Sequence, residues 1–299
     1  MMSNLLIPMS NDRLGKVVID ELRLCFNAEP EFIEVLSSLA IGERVHFNKF
    51  SVIRTIGQHF KHYFTLFDED KESVAVIYFG RYGDENYTHL WIKIDNQILY
   101  NQSSLKSLLL DILATFHIEF NNITRLALAV DSKKNYVTTI KRMFRDEDIK
   151  TIINGKGVKD RRKVLREIMY IHQASLERMK NPSLTICQAE AVKNKAKGVV
   201  IQAYNKKAEL CKSHKEYISE YYNHPKTLHR LEVRLNYNEI RDYYSKIGKK
   251  PFVMDILDTS LLTDIYYYHL GSVLRFSRRR KPIPWQEIFG LPTQDNNLP

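Results

Sequence analysis

The sequence predicts an α+β protein: an antiparallel β-sheet with flanking helices, arranged as pseudo-duplicated halves. Three observations predict it. Residues 123–131, 199–207 and 228–236 each give one apolar side and one side bearing charged groups when read at strand spacing. Segments around them carry apolar residues at helical spacing. Strand–helix–strand units occur in both halves, and no Pro/Gly/Ser-rich linker divides the chain.

Taken in order, residues 16–27 (KVVIDELRLCFN) are β-branched and apolar enough for a strand, and Pro30 opens a short helix over 31–40. Strands follow at 50–55, 63–67 and 73–79, before a turn at Gly80 and Gly83. Residues 88–100 (THLWIKIDNQILY) continue the alternation, broken by Asp95-Asn96. Ser103-Ser104 offers an N-cap for an amphipathic helix to about His117. Residues 123–131 (ITRLALAVD) form a strand, 136–144 a helix, and 159–180 (KDRRKVLREIMYIHQASLERMK) a long charged helix stopped by Asn181-Pro182. Strands are expected at 184–187, 198–205 and 228–236, and helices at 239–247 and 254–270. The tail from Pro282 is expected to fray.

Composition narrows the function classes. The chain has 299 residues, 44% hydrophobic and 27% charged, as in a folded globular protein. It has no apolar run of membrane-spanning length, and residues 1–9 lack a basic region ahead of a long apolar core. The three cysteines, Cys25, Cys187 and Cys211, suit a reducing cytoplasm and argue against a disulfide framework or a four-cysteine zinc site. Cytoplasmic localisation without membrane contact is therefore expected. Net charge is +10, yet residues 133–215 hold 21 Lys and Arg against 8 Asp and Glu, a local excess of +13. Such concentration suits a polyanion partner, because cations that neutralise phosphates release condensed counterions. A solvated basic face would show the same count.

Strand parity then indicates what converges. Gln202, Tyr204 and Lys206 share one face of their strand, as do Arg230, Glu232, Arg234 and Asn236, and as do Arg125, Ala127, Ala129 and Asp131. Merged in one sheet, these faces would hold a phenol nucleophile, cations for a phosphate, and two carboxylates, Asp131 and Glu232, suited to Mg²⁺ or Mn²⁺. A half-solvated sheet with cross-strand salt bridges accounts for the same residues. Elsewhere, His59-x-x-His62 lacks a third ligand and reads as surface, and Gly155-Lys156-Gly157 lacks the spacing of a phosphate loop. Arg278-Arg279-Arg280-Lys281 could grip a phosphate backbone or be solvated. Tyr221, Tyr222, Tyr243, Tyr244 and Tyr266 to Tyr268 fit a core better than a base-stacking platform.

The segments ITRLALAVD, VVIQAYNKKAE and LHRLEVRLNYNEIRDYY resemble, in order and approximate spacing, the replication-initiation-factor (Rep_trans) family of plasmid and phage rolling-circle initiators. The likeness covers roughly residues 88–244. It implies an HUH/Rep-like pseudo-duplicated sheet and an enzyme that nicks and rejoins one strand of an origin through a 5′-phosphotyrosine. By that resemblance Tyr204 is the nucleophile, supported by Lys206, Lys207 and Arg230, with Glu209 closing the tyrosine motif and Asp131 and Glu232 holding Mg²⁺ or Mn²⁺. The DNA contacts expected are Arg125, Arg161, Arg162, Lys163, Arg166, Lys193, Lys195, Lys197 and Arg234. Partners would be origin DNA, a second copy of the chain in a homodimer, and a host helicase. The domain expected is 1–250, with halves of about 1–120 and 121–250, followed by a helical segment and basic tail over 251–299. Two departures stand out. Ala127 replaces an aspartate of the first strand, and residues 184–188 lack the glycine and arginine of the element that precedes the tyrosine strand. A catalytically inactive DNA-binding regulator derived from an initiator is the alternative.

Overall fold

In the computed structural model, residues 13–81, 87–170, 183–187 and 198–289 are described. The fold is mixed α+β, with a ten-stranded sheet of antiparallel pairings and flanking helices. Its strands are β1 (Val17–Asn27), β2 (Arg44–Phe47), β3 (Phe50–Thr55), β4 (Phe60–Phe67), β5 (Ser73–Arg81), β6 (His89–Ile94), β7 (Glu119–Ser132), β10 (Leu184–Cys187), β11 (Val200–Asn205) and β12 (His229–Asn236). They lie in the order β10-β11-β12-β7-β1-β6-β5-β4-β3-β2. A second sheet, in the order β14-β13-β8-β9, contains β8 (Ile149–Ile153), β9 (Lys156–Gly157), β13 (Leu274–Arg278) and β14 (Lys281–Pro282).

The helices are α1 (Pro30–Ser38), α2 (Asn96–Leu99), α3 (Gln102–Phe116), α4 (Tyr136–Arg145), α5 (Arg161–Tyr170), α6 (Lys206–Ser213), α7 (Glu216–Tyr221), α8 (Tyr237–Lys246), α9 (Thr259–Val273) and α10 (Trp285–Phe289). Asparagine starts several of them. The side chains of Asn101, Asn135 and Asn205 accept from the backbone N–H groups of Ser104, Thr138 and Ala208, and Asn236 closes a capping box with Glu239. A short side-chain oxygen satisfies amides that the first helical turn leaves without partners. No helix among the described residues is long and apolar enough to cross a membrane.

Two compact units can be distinguished, each discontinuous in sequence. One comprises residues 1–18, 128–234 and 262–299, and the other 19–127 and 235–261. The core of the second gathers aromatic rings. Phe32 and Phe50 stack on Phe116 with centroids 5.1 and 5.6 Å away, and Phe47 meets it edge-on at 5.5 Å. Also in this unit, Tyr244 lies against Asp255, and burial pushes its phenol well above the usual tyrosine value. His62 stacks on Phe79 at 4.7 Å and is part-buried, so it is not the solvated surface residue expected. Cys25 is buried here too, its thiol pushed up to about 11.

In the first unit, the small sheet packs Phe276 edge-on against Phe144 of α4 and against Trp285 of α10. Its two hairpins each turn in two residues. Asn154-Gly155 has φ of 49° and 76°, and Arg279-Arg280 has φ of 50° and 68°. Such turns need positive φ at both positions, which Asn-Gly adopts readily. An arginine there costs about 1 kcal/mol or more for the crowding of its Cβ.

Several expectations need correcting. The 88–100 alternation ends at Ile94, and Asp95 leads into α2 rather than more strand. The cap of α3 is Asn101, not Ser103 or Ser104. The strand expected at 198–205 does end at Asn205, but the face parity carried on to Lys207 does not hold, because Lys206 and Lys207 open a helix. The helix expected over 254–270 is a 3₁₀ turn at Val253–Leu257 followed by α9, because the Asp258 carboxylate accepts from the amides of Ser260 and Leu261 and starts a new helix. The tail from Pro282 is structured to Phe289, with Trp285 and Phe289 buried and stacked at 5.0 Å. The expected helix over 159–180 is described only as α5, and its remainder lies outside the described residues.

Candidate active site

The site is built from the first unit, where β11 pairs with β12 in a register that sets Tyr204 opposite Arg230, Gln202 opposite Glu232, and Val200 opposite Arg234. Directly opposed residues on antiparallel strands project to the same side. The register therefore gathers a phenol, a carboxylate and two guanidiniums on one face. The hydrogen bonds among them are short. Tyr204 Oη donates to Glu232 Oε2 at 3.0 Å, and Arg234 Nε donates to Glu232 Oε1 at 2.5 Å. Glu232 is 1% exposed, and Tyr204 is part-exposed.

Asp131, from the end of β7, is the deepest member. Arg230 grips it with both arms, Nε on Oδ1 at 2.8 Å and Nη2 on Oδ2 at 2.5 Å, and both residues are 0% exposed. A two-pronged guanidinium–carboxylate bond of this kind neutralises a charge that burial alone would make costly. Tyrosines stand around this pair. Tyr266 is buried, and its hydroxyl donates to the Leu231 carbonyl at 3.1 Å. Burial, with added repulsion from neighbours that include Asp131 and Glu232, pushes its phenol well above the usual value. Tyr136 is pushed up in the same way, and Tyr267 to about 12. These phenols stay neutral at physiological pH.

The Tyr-Asn-Lys-Lys-x-Glu run is a strand-to-helix corner. Tyr204 is near the end of β11, Asn205 caps α6, and Lys206 is its first residue. Helical spacing then brings Glu209 to Lys206, with Nζ 2.6 Å from Oε2. Lys206 is 2% exposed and its ammonium lies 5.9 Å from the centre of the Tyr204 ring. Burial, the largest single influence, pushes the Glu209 carboxyl up, but the Lys206 ammonium, a hydrogen bond from Ser213 and the charge of Lys215 together hold the group below its ordinary value. Lys207 points to α7, where its Nζ donates to Ser219 Oγ at 3.3 Å.

The other expected site residues are dispersed. Arg125 belongs to the second unit, paired with Glu21 at 2.7 Å and donating to Asn236 at 3.4 Å. Arg161 and Arg162, with Phe144, Arg145, Glu147 and Leu165, line a cavity of about 780 Å³ in the first unit. Arg145 and Glu147 carried no sequence signal beyond local charge. Lys163 lies in the first turn of α5, where its amide donates to Asp160. The side chain of Arg166 and the whole of Lys193, Lys195 and Lys197 lie outside the described residues.

Asp131 and Glu232, the carboxylates expected to hold Mg²⁺ or Mn²⁺, are both engaged by neighbouring side chains. Hard cations take about six oxygen ligands. Both oxygens of Asp131 accept from Arg230, both of Glu232 accept from Tyr204 and Arg234, and no group of three or more His, Cys, Asp or Glu able to hold a metal occurs among the described residues. What the arrangement can do without a metal is hold a phenol against a carboxylate base with cations beside both. No family model matches this chain, and no curated protein sequence matches it.

Proposed function

We propose that the chain is a tyrosine-based DNA strand nicking and joining enzyme, of the kind that initiates rolling-circle replication. The observation that carries this reading is the 3.0 Å hydrogen bond from Tyr204 to a Glu232 carboxylate that Arg234 also holds. In the proposed reaction Tyr204 Oη attacks the phosphorus of a strand and its proton passes to Glu232. The bond from phosphorus to the 3′ oxygen breaks, leaving a 5′ phosphotyrosine, and the departing oxygen takes a proton to become a 3′ hydroxyl. Rejoining is the reverse.

Magnitudes constrain the order of events. An ordinary carboxylate is about 6 pKa units less basic than an ordinary phenolate, so a free phenolate formed first would cost about 8 kcal/mol. Proton transfer must therefore accompany attack. The ammonium of Lys206 near the ring lowers that cost by favouring negative charge on the phenol oxygen. Arg234, whose side chain is 37% exposed, is the cation of this cluster with access to an incoming phosphate. Arg230 is enclosed, and its part is to fix Asp131 and the strand spacing under the site. The HUH/Rep-like pseudo-duplication, the homodimer and the helicase partner belong to the same proposal and rest on the motif resemblance.

The test is incubation with supercoiled plasmid carrying the chain's own coding region and flanks, with Mg²⁺ present. Wild type should give nicked circles and a protein–DNA adduct that survives denaturation, and Tyr204→Phe neither. Adduct formation by Tyr204→Phe would overturn the assignment. A second reading, DNA binding without nicking, draws on the complete enclosure of Asp131 and Arg230 and on the buried Ala127. Salt-sensitive DNA binding with no adduct from wild type would favour it.

A further inference from the structure

We infer that the tip of the β13–β14 hairpin, Arg279 and Arg280, enters the major groove of duplex DNA. Its two turns of the small sheet offer the contrast that points there. The β8–β9 turn uses Asn-Gly, the pair that adopts positive φ without penalty, while β13–β14 places two arginines in the same backbone conformation. Strain of this sort persists where the side chain is needed. Arg278 and Lys281 flank the turn as an opposed pair, and all four residues are exposed.

The basic character continues from the turn. On the strands behind it, Arg275 of β13 and Lys150 of β8 are exposed, while Leu274 and Phe276 face the core. Arg278 lies 3.2 Å from the Asp146 carboxylate, and the Asp146 carbonyl accepts from Arg161 at 2.6 Å. Asp146 thus ties the hairpin's base to the start of α5 and to the cavity that Arg145, Arg161 and Arg162 line. Acidic groups at this surface are Asp146, held by Arg278, Glu147 on the cavity wall, and exposed Asp148, next to the Ile149 that pairs with Arg278. β13 is paired along its length with β8, so the turn at Arg279 and Arg280 is the part that extends past the sheet. A hairpin tip fits the major groove of B-form DNA, about 12 Å wide. Double-stranded RNA closes its major groove to side chains, so DNA is the partner the shape favours.

The inference shares a DNA partner with the proposed function and does not need Tyr204 to react. It is tested by binding of a fluorescein-labelled DNA duplex of mixed sequence to the full chain across a salt series. The variant is Arg279→Asn with Arg280→Gly, which installs the favoured turn. It should melt no lower than wild type, bind roughly tenfold more weakly, and lose about 1.8 from the slope of log K against log salt. Unchanged affinity and slope would overturn the inference. So would a lowered Tm accompanying the loss, which would make the arginines structural, or equal competition by duplex RNA. Because the readout is binding, an absent adduct in the plasmid assay leaves this result to stand or fall separately.

Discussion

The Lys206–Glu209 pair shows how a cation bears on the state of its surroundings. Burial acts on Glu209 in one direction and the ammonium, with Ser213 and Lys215, in the other, and the second group prevails. A carboxyl whose folded value is lowered contributes stability that is present above its unfolded value and is lost as pH falls through the folded one. The pair should therefore support the fold at neutral pH and begin to lose that effect only as pH falls below about 4.5. Lys206→Met removes the strongest downward pull and leaves burial opposed only by Ser213 and Lys215, so the Glu209 midpoint should rise. Carboxyl NMR titration of wild type and variant checks this, and an unchanged Glu209 midpoint would contradict it. The same ammonium stands beside the Tyr204 ring, so the variant should also slow adduct formation if Tyr204 is the nucleophile.

At the scale of elements, asparagine at a strand-to-helix corner recurs in the site itself. Asn205 accepts the Ala208 amide at 3.0 Å while Tyr204, its neighbour, holds Glu232. Asn205→Ala should cost about 1 kcal/mol, and Asn205→Asp much less, in urea unfolding. Equal losses for both would show that the cap is not the cause. The strands of this region were legible because alternation reports a covered face directly, and parity correctly put Tyr204 and Glu232 on one side. The end of the strand at Asn205 was legible too, and only the face parity carried on to Lys206 ran past the point where Asn205 turns the backbone. Burial of the polar face was hidden. Alternation cannot reveal that Asp131 and Arg230, 99 residues apart, would meet with no exposure to solvent. Helix α10 escaped notice for a different reason: five residues between prolines and a polar tail are too few to show a period. The double helix-like run at 254–270 concealed its own break, which only the Asp258 side chain makes evident.

For the molecule as a whole, sequence order and compactness diverge. The second unit takes most of its residues from 19–127 but also needs 235–261, which supplies the buried Ile240, Tyr243, Tyr244, Val253 and Ile256. The 3₁₀ turn in that segment packs against α3. A fragment ending at residue 127 should therefore lack a cooperative thermal transition and bind hydrophobic dye, and a sharp melt from it would refute this division. The two turns of the small sheet carry a last consequence. Selection for stability alone and selection for DNA contact would pull positions 279 and 280 toward different residues. Among variants sorted only for heat resistance, Asn-Gly should displace Arg-Arg at this tip, while the Asn154-Gly155 turn has nothing to gain from change.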